Sequence, residues 1–280
     1  MHFSIGCRLD YQVWSPAALV FNLEAARFLR QSIRSESLVS YPPVTPDTFT
    51  APETSNRYTR FVVQPGPFRL EYLAEVTLDP LVHSPASVDE FLAQDLPLTV
   101  LPHLYASRYC QSDKLSRFAT RQFDGHASGY QRVTAICNWI YDNVDYISGS
   151  TDEMTSAFDT VTQRAGVCRD FAHLGIALCR AVGIPARYVS AYAWRLNPPD
   201  FHAVFEAYLC GAEGGAWYLF DPTRMSAVDG LVRIGVGRDA ADVAFCSIFG
   251  DVTSNPPQVW ITGPDASCPV TTAAISLQEP

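Results

Sequence analysis

Residues 166–224 restrict the fold of this 280-residue chain more than any other part of it. In residues 168–182 apolar side chains recur at helical spacing, which predicts a helix with one buried face. Gly183 ends this helix and Pro185 prevents its continuation. Strand patterns follow at residues 187–193, 201–209 and 216–221. Helices followed by an antiparallel sheet indicate an α+β domain.

The first 80 residues instead alternate between apolar and polar side chains, as strands do. The alternation begins at Phe3 and predicts a small β-sandwich-like domain. Prolines in residues 80–85 mark a boundary, and the Ser87 to Glu90 pattern predicts a helix start beyond it. We therefore expect three parts: a β-rich domain at 1–82, an α+β domain at 85–263 and a flexible tail at 264–280.

Composition excludes several classes of partner. The formal net charge is −9 and no basic run occurs, which argues against a nucleic-acid partner or an anionic membrane surface. The N-terminus lacks the basic and apolar regions of a signal peptide, and no apolar run reaches about 18 residues. We expect a cytoplasmic protein with reduced cysteines. No two cysteines have zinc-ligand spacing, so neither a metal nor a cofactor is expected.

Cys168 is the first candidate for chemistry. It lies at the predicted start of a helix, where free N–H groups and the helix dipole stabilise a thiolate. Gly166 allows a sharp turn into the helix. The backbone N–H of Cys168 would face an oxyanion formed when the sulfur attacks a carbonyl. A nucleophile is therefore expected here, although a lone cysteine is more often a core residue.

His202 and Asp221 are predicted to meet across a hairpin. If residues 210–213 form its loop, the two residues are directly opposed, with their side chains on one face. The carboxylate would then hold the imidazole, whose other nitrogen takes a proton from Cys168. Glu206 shares the strand face of His202 and is interpreted as solvated, and His173 as a packed or capping side chain.

These segments together resemble a known family. GVCRDFAHLGIALCRAVGIPARYVSAY, DFHAVFEAYL and WYLFDPTR are similar to the bacterial transglutaminase-like superfamily, and the β-rich start is similar to the domain that often precedes its core. The resemblance implies a papain-like fold with Cys168 as nucleophile, His202 as base and Asp221 as orienting acid. Many members have tryptophan where this chain has Val204, so Val204 is expected to flank the cleft or to pack near the imidazole. Tyr192 is interpreted either as a cleft residue or as a core tyrosine. A second oxyanion donor is expected within residues 139–156.

The expected function is cleavage of an amide in a protein or peptide substrate through a thioester on Cys168. Resolution by water would make the protein a peptidase or amidase, and resolution by an amine would make it a transglutaminase. We favour hydrolysis, because no sequence feature excludes water from the cleft. A binding or scaffold module that keeps the fold without turnover is the competing class, and a zinc site built from Cys, His and Asp is a weaker alternative.

Overall fold

The computed structural model describes residues 1–125, 128–264 and 271–277. Its helices and strands, in chain order, are β1 (His2–Val13), β2 (Ala17–Phe21), β3 (Gln31–Tyr41), β4 (Asp47–Thr50), β5 (Arg57–Val63), β6 (Gly66–Leu78), β7 (Leu81–His83), α1 (Ser112–Phe123), α2 (Tyr130–Asn143), β8 (Asp145–Tyr146), α3 (Ala157–Gln163), β9 (Ala165–Gly166), α4 (Cys168–Ala181), β10 (Ala186–Ala193), β11 (Phe201–Gly211), β12 (Gly214–Phe220), β13 (Leu231–Gly237), β14 (Cys246–Phe249), β15 (Val252–Ser254), β16 (Gln258–Thr262) and β17 (Ala274–Ser276). Within the described ranges, no helix is both long and apolar enough to cross a membrane.

The N-terminal part is a sandwich of two antiparallel sheets. One sheet has the order β15-β1-β6-β3, with β16 also paired to β1, and the other has the order β14-β2-β5-β4. Because successive strand residues point to opposite faces, the alternation in β1 buries Phe3, Ile5 and Cys7 completely. These side chains form one core with Leu19 and Phe21 of the facing sheet. The expected β-sandwich is therefore present.

The second part is a six-stranded sheet of order β13-β10-β11-β12-β17-β7 with helices on one face. Helix α4 lies on β11, where Phe205 and Ala203 join the core that contains Phe171. Gly175 allows this close approach, because a Cβ there would lie 2.6 Å from the Phe205 ring. The α+β class predicted from the sequence is confirmed.

The two parts share a core and are linked by strands from late in the chain. Tyr192 and Trp194, at the end of β10, pack in the same cluster as β1 and β6. Strands β14, β15 and β16 return to pair with β2 and β1. The sequence analysis placed residues 246–262 with the second domain, because local patterns do not reveal a strand's distant partner.

The flexible tail predicted for residues 264–280 is wrong for residues 271–277. Strand β17 pairs with β12 and β7, and its neighbour Leu277 is also buried. Ile275 and Leu277 are buried in one apolar cluster with Val204 and Leu219, which holds this segment on the sheet. Residues 265–270, which include Cys268, and residues 278–280 lie outside the described residues.

The helix start predicted at Ser87 is also wrong, since the first α-helix begins at Ser112. Asp89 forms a β-bridge with Cys210, and its carboxylate accepts the N–H of Glu90. Glu90 pairs with Arg132 at 3.2 Å. The polar groups of the apparent capping pattern are satisfied largely by residues distant in the sequence.

Candidate active site

Cys168 is the first residue of α4, where the sequence placed it. The buried Asp170 carboxylate fixes this helix start: its Oδ2 accepts the Val167 N–H at 2.9 Å and the Thr151 hydroxyl at 2.7 Å. A Cβ on Gly166 would lie 2.8 Å from the Asp170 Cβ, which explains the glycine two residues before the thiol. The thiol therefore stands at the positive end of a rigidly held helix.

The side chains of His202 and Asp221 meet as predicted, but the backbone register differs. His202 Nε2 lies 2.9 Å from Asp221 Oδ2. Gly211 pairs with Gly214, so residues 212–213 form the hairpin loop instead of 210–213. The difference of two residues leaves every side chain on its expected face, because strand side chains alternate with a period of two.

Asp221 lies directly after β12 in a turn that surrounds its carboxylate with donors. Oδ1 accepts the Thr223 N–H at 2.9 Å and the Thr223 hydroxyl at 2.6 Å. Oδ2 accepts the Ser226 N–H at 3.1 Å and the Ser226 hydroxyl at 2.7 Å. Sequence reasoning used the Asp-Pro-Thr segment only to place Asp221 and gave no role to Thr223 or Ser226, although hydroxyl residues close behind an acid often fold back onto it.

These contacts set the charge of both partners. Burial alone would lower the pKa of His202, but Asp221 and the Cys168 sulfur raise it to about 10. Burial opposes ionisation of Asp221, yet His202, Thr223 and Ser226 hold its pKa below the usual value. His202 Nδ1 has no aligned hydrogen-bond partner, and Cys168 is the next polar group to act on the ring. The arrangement is an imidazolium between a carboxylate and the Cys168 sulfur.

Tyr146 lies within residues 139–156, where the sequence analysis expected a second oxyanion donor. Strand β8 runs parallel to β9 with Tyr146 beside Gly166, and the Ile147 N–H donates to the Gly166 carbonyl at 3.0 Å. Tyr146 lies beside Cys168, whose backbone N–H and sulfur both act on the tyrosine hydroxyl. Burial and Cys168 raise the pKa of Tyr146 to about 12, so this hydroxyl keeps its proton and can donate it.

A cavity of about 550 Å³ opens over Cys168 and His202. Its other lining residues come from the second sheet, from neighbouring loops and from the segment that returns to the sandwich: Tyr109, Glu153, Arg169, Tyr188, Ser190, Asp200, Phe201, Ala203, Ala240, Ala241, Val243, Ala244, Phe245, Cys246 and Pro257. A second cavity of about 370 Å³ lies on the other side of Asp221 and does not reach Cys168.

Two candidate cleft residues are not in this cavity. Tyr192 is fully buried between the sheets, and its hydroxyl donates to the Leu23 carbonyl at 2.9 Å. Val204 is fully buried and packs with Val189 and Leu219. Neither side chain lines the cleft. Tyr192 is a core residue, the alternative that the sequence also allowed, because the N-terminal sandwich covers the end of β10. Val204 is covered by an apolar layer.

The described residues contain no group of three or more Asp, Glu, His or Cys side chains placed to hold a metal ion. His202 lies between Cys168 and Asp221, so the three side chains form a row. Metal ligands would instead surround a common point. The contacts of the three side chains with one another account for the arrangement.

Two family models match the chain. The model described as the transglutaminase-like superfamily matches residues 116–222, which include Cys168, His202 and Asp221. The model described as the N-terminal domain of bacterial transglutaminases matches residues 1–81.

One solved structure is similar over almost the whole chain. It is a crystal structure of a "Putative Cysteine Protease" from Cytophaga hutchinsonii, with 45% identity, a TM-score of 0.93, and coverage of 99% of this chain and 98% of that chain. An uncharacterized protein of Mycobacterium leprae is 37% identical over 124 residues, and one of Mycobacterium tuberculosis is 38% identical over 143 residues. These two matches cover 42% and 46% of the relatives' own lengths, so the matched region spans less than half of each curated relative.

Proposed function

The chain belongs to the transglutaminase-like superfamily, and from this premise we propose that it is a cysteine-dependent enzyme that cleaves amide bonds in a protein or peptide substrate. The observation that carries the proposal is the His202 ring, held at 2.9 Å from Asp221 with its other nitrogen left to Cys168 at the start of α4. Cys168 as nucleophile, His202 as base and Asp221 as orienting acid, each next to the following one, support acyl transfer.

The first half of the reaction forms a thioester. The Cys168 thiolate attacks the amide carbonyl, and the oxyanion that forms receives hydrogen bonds from the Cys168 N–H and the Tyr146 hydroxyl. Tyr146 lies beside the sulfur and donates its hydrogen bond to the carbonyl oxygen as negative charge develops there, while the proton stays on the tyrosine oxygen. The His202 imidazolium then protonates the amide nitrogen, the C–N bond breaks and the amine leaves.

The second half releases the acid product. Neutral His202 takes a proton from water, the oxygen attacks the thioester, and the C–S bond breaks to restore the thiolate beside the imidazolium. Water is the proposed acceptor because Ala241, Ala244 and Phe245 on the cavity wall are exposed to solvent. Asp221 stays ionised throughout and stabilises the imidazolium.

The proposal is tested by exposing a peptide library to the purified protein, with and without a primary amine, and identifying products by mass spectrometry. Wild type should release free carboxylates, and Cys168→Ala should lose this activity. Cys210→Ala removes a partly exposed cysteine on the same strand as His202 and should behave as wild type. Cleavage that persists in Cys168→Ala contradicts the nucleophile, and amine incorporation in preference to hydrolysis contradicts the choice of water.

The role of Tyr146 has its own test. Tyr146→Phe should lower kcat by about 10²–10³-fold, the usual cost of removing one oxyanion donor. Alkylation of Cys168 by iodoacetamide should be much less affected, because that reaction forms no oxyanion. Tyr141→Phe, at an exposed tyrosine on α2, is the matched control. Equal turnover in the two variants would remove Tyr146 from the mechanism.

A further inference from the structure

One wall of the cavity over Cys168 is apolar and built from narrow side chains. Residues Ala240, Ala241, Val243 and Ala244 line it in succession, followed by Phe245. Phe245 is 42% exposed and stacks on Phe201 with ring centroids 5.4 Å apart. An exposed aromatic ring beside a row of small side chains leaves apolar surface open to a ligand.

The wall is held in place by buried polar contacts. The Ala240 N–H donates to His173 Nε2 at 3.1 Å, and His173 is fully buried with its ring centroid 5.0 Å from that of Tyr109 and 5.2 Å from that of Tyr188. Burial keeps the pKa of His173 well below its usual value, so the ring stays neutral and can accept this bond. Asp239 holds the wall and Tyr109, the ring that stacks on His173. Its carboxylate accepts the Ala241 N–H at 3.0 Å and the Tyr109 N–H at 2.9 Å. The wall is therefore shaped before a substrate arrives, which reduces the cost of binding.

The charges that face the cavity disfavour an acidic occupant. Glu153 and Asp200 contribute carboxylates, and partial burial raises the pKa of Asp200. Two cations line the cavity: the His202 imidazolium is paired with Asp221, and Arg169 donates to the Asp170 carboxylate and to the Asp152 carbonyl. An acidic side chain would meet two carboxylates, and both cations are already paired within the protein.

From this wall, its anchors and these charges, we infer that Ala240, Ala241, Val243, Ala244 and Phe245 form a specificity subsite for an apolar side chain, aliphatic or aromatic, next to the amide that Cys168 attacks. The inference rests on the proposed amide cleavage and adds its substrate class. A cavity of about 550 Å³ falls in the ordinary range for pockets that enclose a ligand of this size.

The test compares peptides that differ only at the residues flanking one amide bond. Wild type should cleave those with Leu or Phe at one flanking position at least about 10-fold faster, as kcat/KM, than those with Asp or Glu. Ala244→Arg and, separately, Ala241→Arg should raise KM for the Leu and Phe peptides by about 10-fold and reduce the bias against acidic ones. Ala106→Arg, at an exposed alanine outside the cavity, is the matched control.

The readouts separate this inference from the proposed function. Alkylation of Cys168 by iodoacetamide and thermal unfolding should be unchanged in both wall variants. The subsite is overturned, while the amide-cleaving activity stands, if wild-type kcat/KM does not depend on the flanking side chain. It is also overturned if Ala241→Arg and Ala244→Arg give the same KM values as Ala106→Arg. Absence of any Cys168-dependent cleavage overturns the proposed function, and the subsite with it.

Discussion

At the scale of single residues, the Asp221 carboxylate determines the protonation of His202. His202 is 2% exposed, and burial without a partner would leave it neutral near pH 7. Four donor groups on Thr223 and Ser226 keep Asp221 ionised, and the ionised carboxylate keeps the imidazole protonated. Asp221 thus orients the His202 ring and also keeps it protonated, so that His202 can donate a proton to the leaving amine.

This dependence predicts the pH profile of an Asp221→Asn variant. In wild type, kcat/KM should fall on the alkaline side as His202 loses its proton, with a pKa of about 10. Asn cannot supply the charge, so the alkaline limb should move to lower pH and turnover should drop; the comparable change in the serine-protease triad costs about 10⁴-fold. The measurement is kcat/KM on one peptide amide from about pH 6 to 11. Asp79→Asn, which changes an exposed acid far from the cavity, should leave the profile unchanged.

The protonation of His202 should also make the free energy of unfolding depend on pH. The pKa of His202 is higher in the folded state than its usual value of 6.5, so its contribution is complete below about pH 6.5 and is lost as pH rises through about 10. Asp221→Asn should therefore lower the melting temperature most near pH 6 and least near pH 11. A Tm difference that does not depend on pH would contradict the charged pair.

At the scale of elements, local patterns succeeded where a segment's own side chains determine its structure. Helix α4 begins at Cys168 as predicted, because its apolar periodicity and the Gly183 stop lie within one segment. The β11–β12 register was wrong by two residues, because glycines on both strands carry no facial pattern to fix it. Tyr146 was not singled out, because its place beside Cys168 depends on β8 pairing with β9.

The contact between α4 and β11 gives a prediction at this scale. Gly175→Ala gains about 1 kcal/mol of helix propensity, but its Cβ would lie 2.6 Å from the buried Phe205 ring, which is stacked on Phe220. Overpacking costs about 1–3 kcal/mol, so the net effect should be destabilising. His202 lies on the same strand, and displacement of the helix should also slow turnover.

A second substitution distinguishes this contact from a general helix defect. Phe205→Leu alone leaves a gap and should also destabilise, but combined with Gly175→Ala it should recover part of the loss. Chemical denaturation of the four proteins in this cycle measures the coupling. Additive free energies of unfolding would show that Gly175 and Phe205 do not constrain each other.

At the scale of the whole molecule, the features that sequence patterns missed are long-range. Glu206, interpreted as solvated, is fully buried between Arg187 and Arg233. Arg187 lies on β10, which pairs with β11, and Arg233 lies on β13, which pairs with the other edge of β10, so no local pattern records either contact. Strands β14 to β16 close the N-terminal sandwich from the other end of the chain. The segment between β13 and β14 crosses from one part to the other and becomes the apolar wall of the cavity.

This arrangement predicts how the protein responds to a single cut. A specific protease site introduced at residues 79–80, before β7, should yield two fragments that co-elute on size exclusion and keep amide-cleaving activity. Strand β1 has a partner in the later fragment at both ends: Cys7 lies opposite Val259 of β16, and Tyr11 opposite Ser254 of β15. Trp194 also packs across the cut, in one core with Phe3. Residues 85–280 expressed alone should aggregate, because their part of this core would face water. An active, monomeric 85–280 fragment, or cut fragments that separate and melt independently, would instead show two domains joined only by a linker.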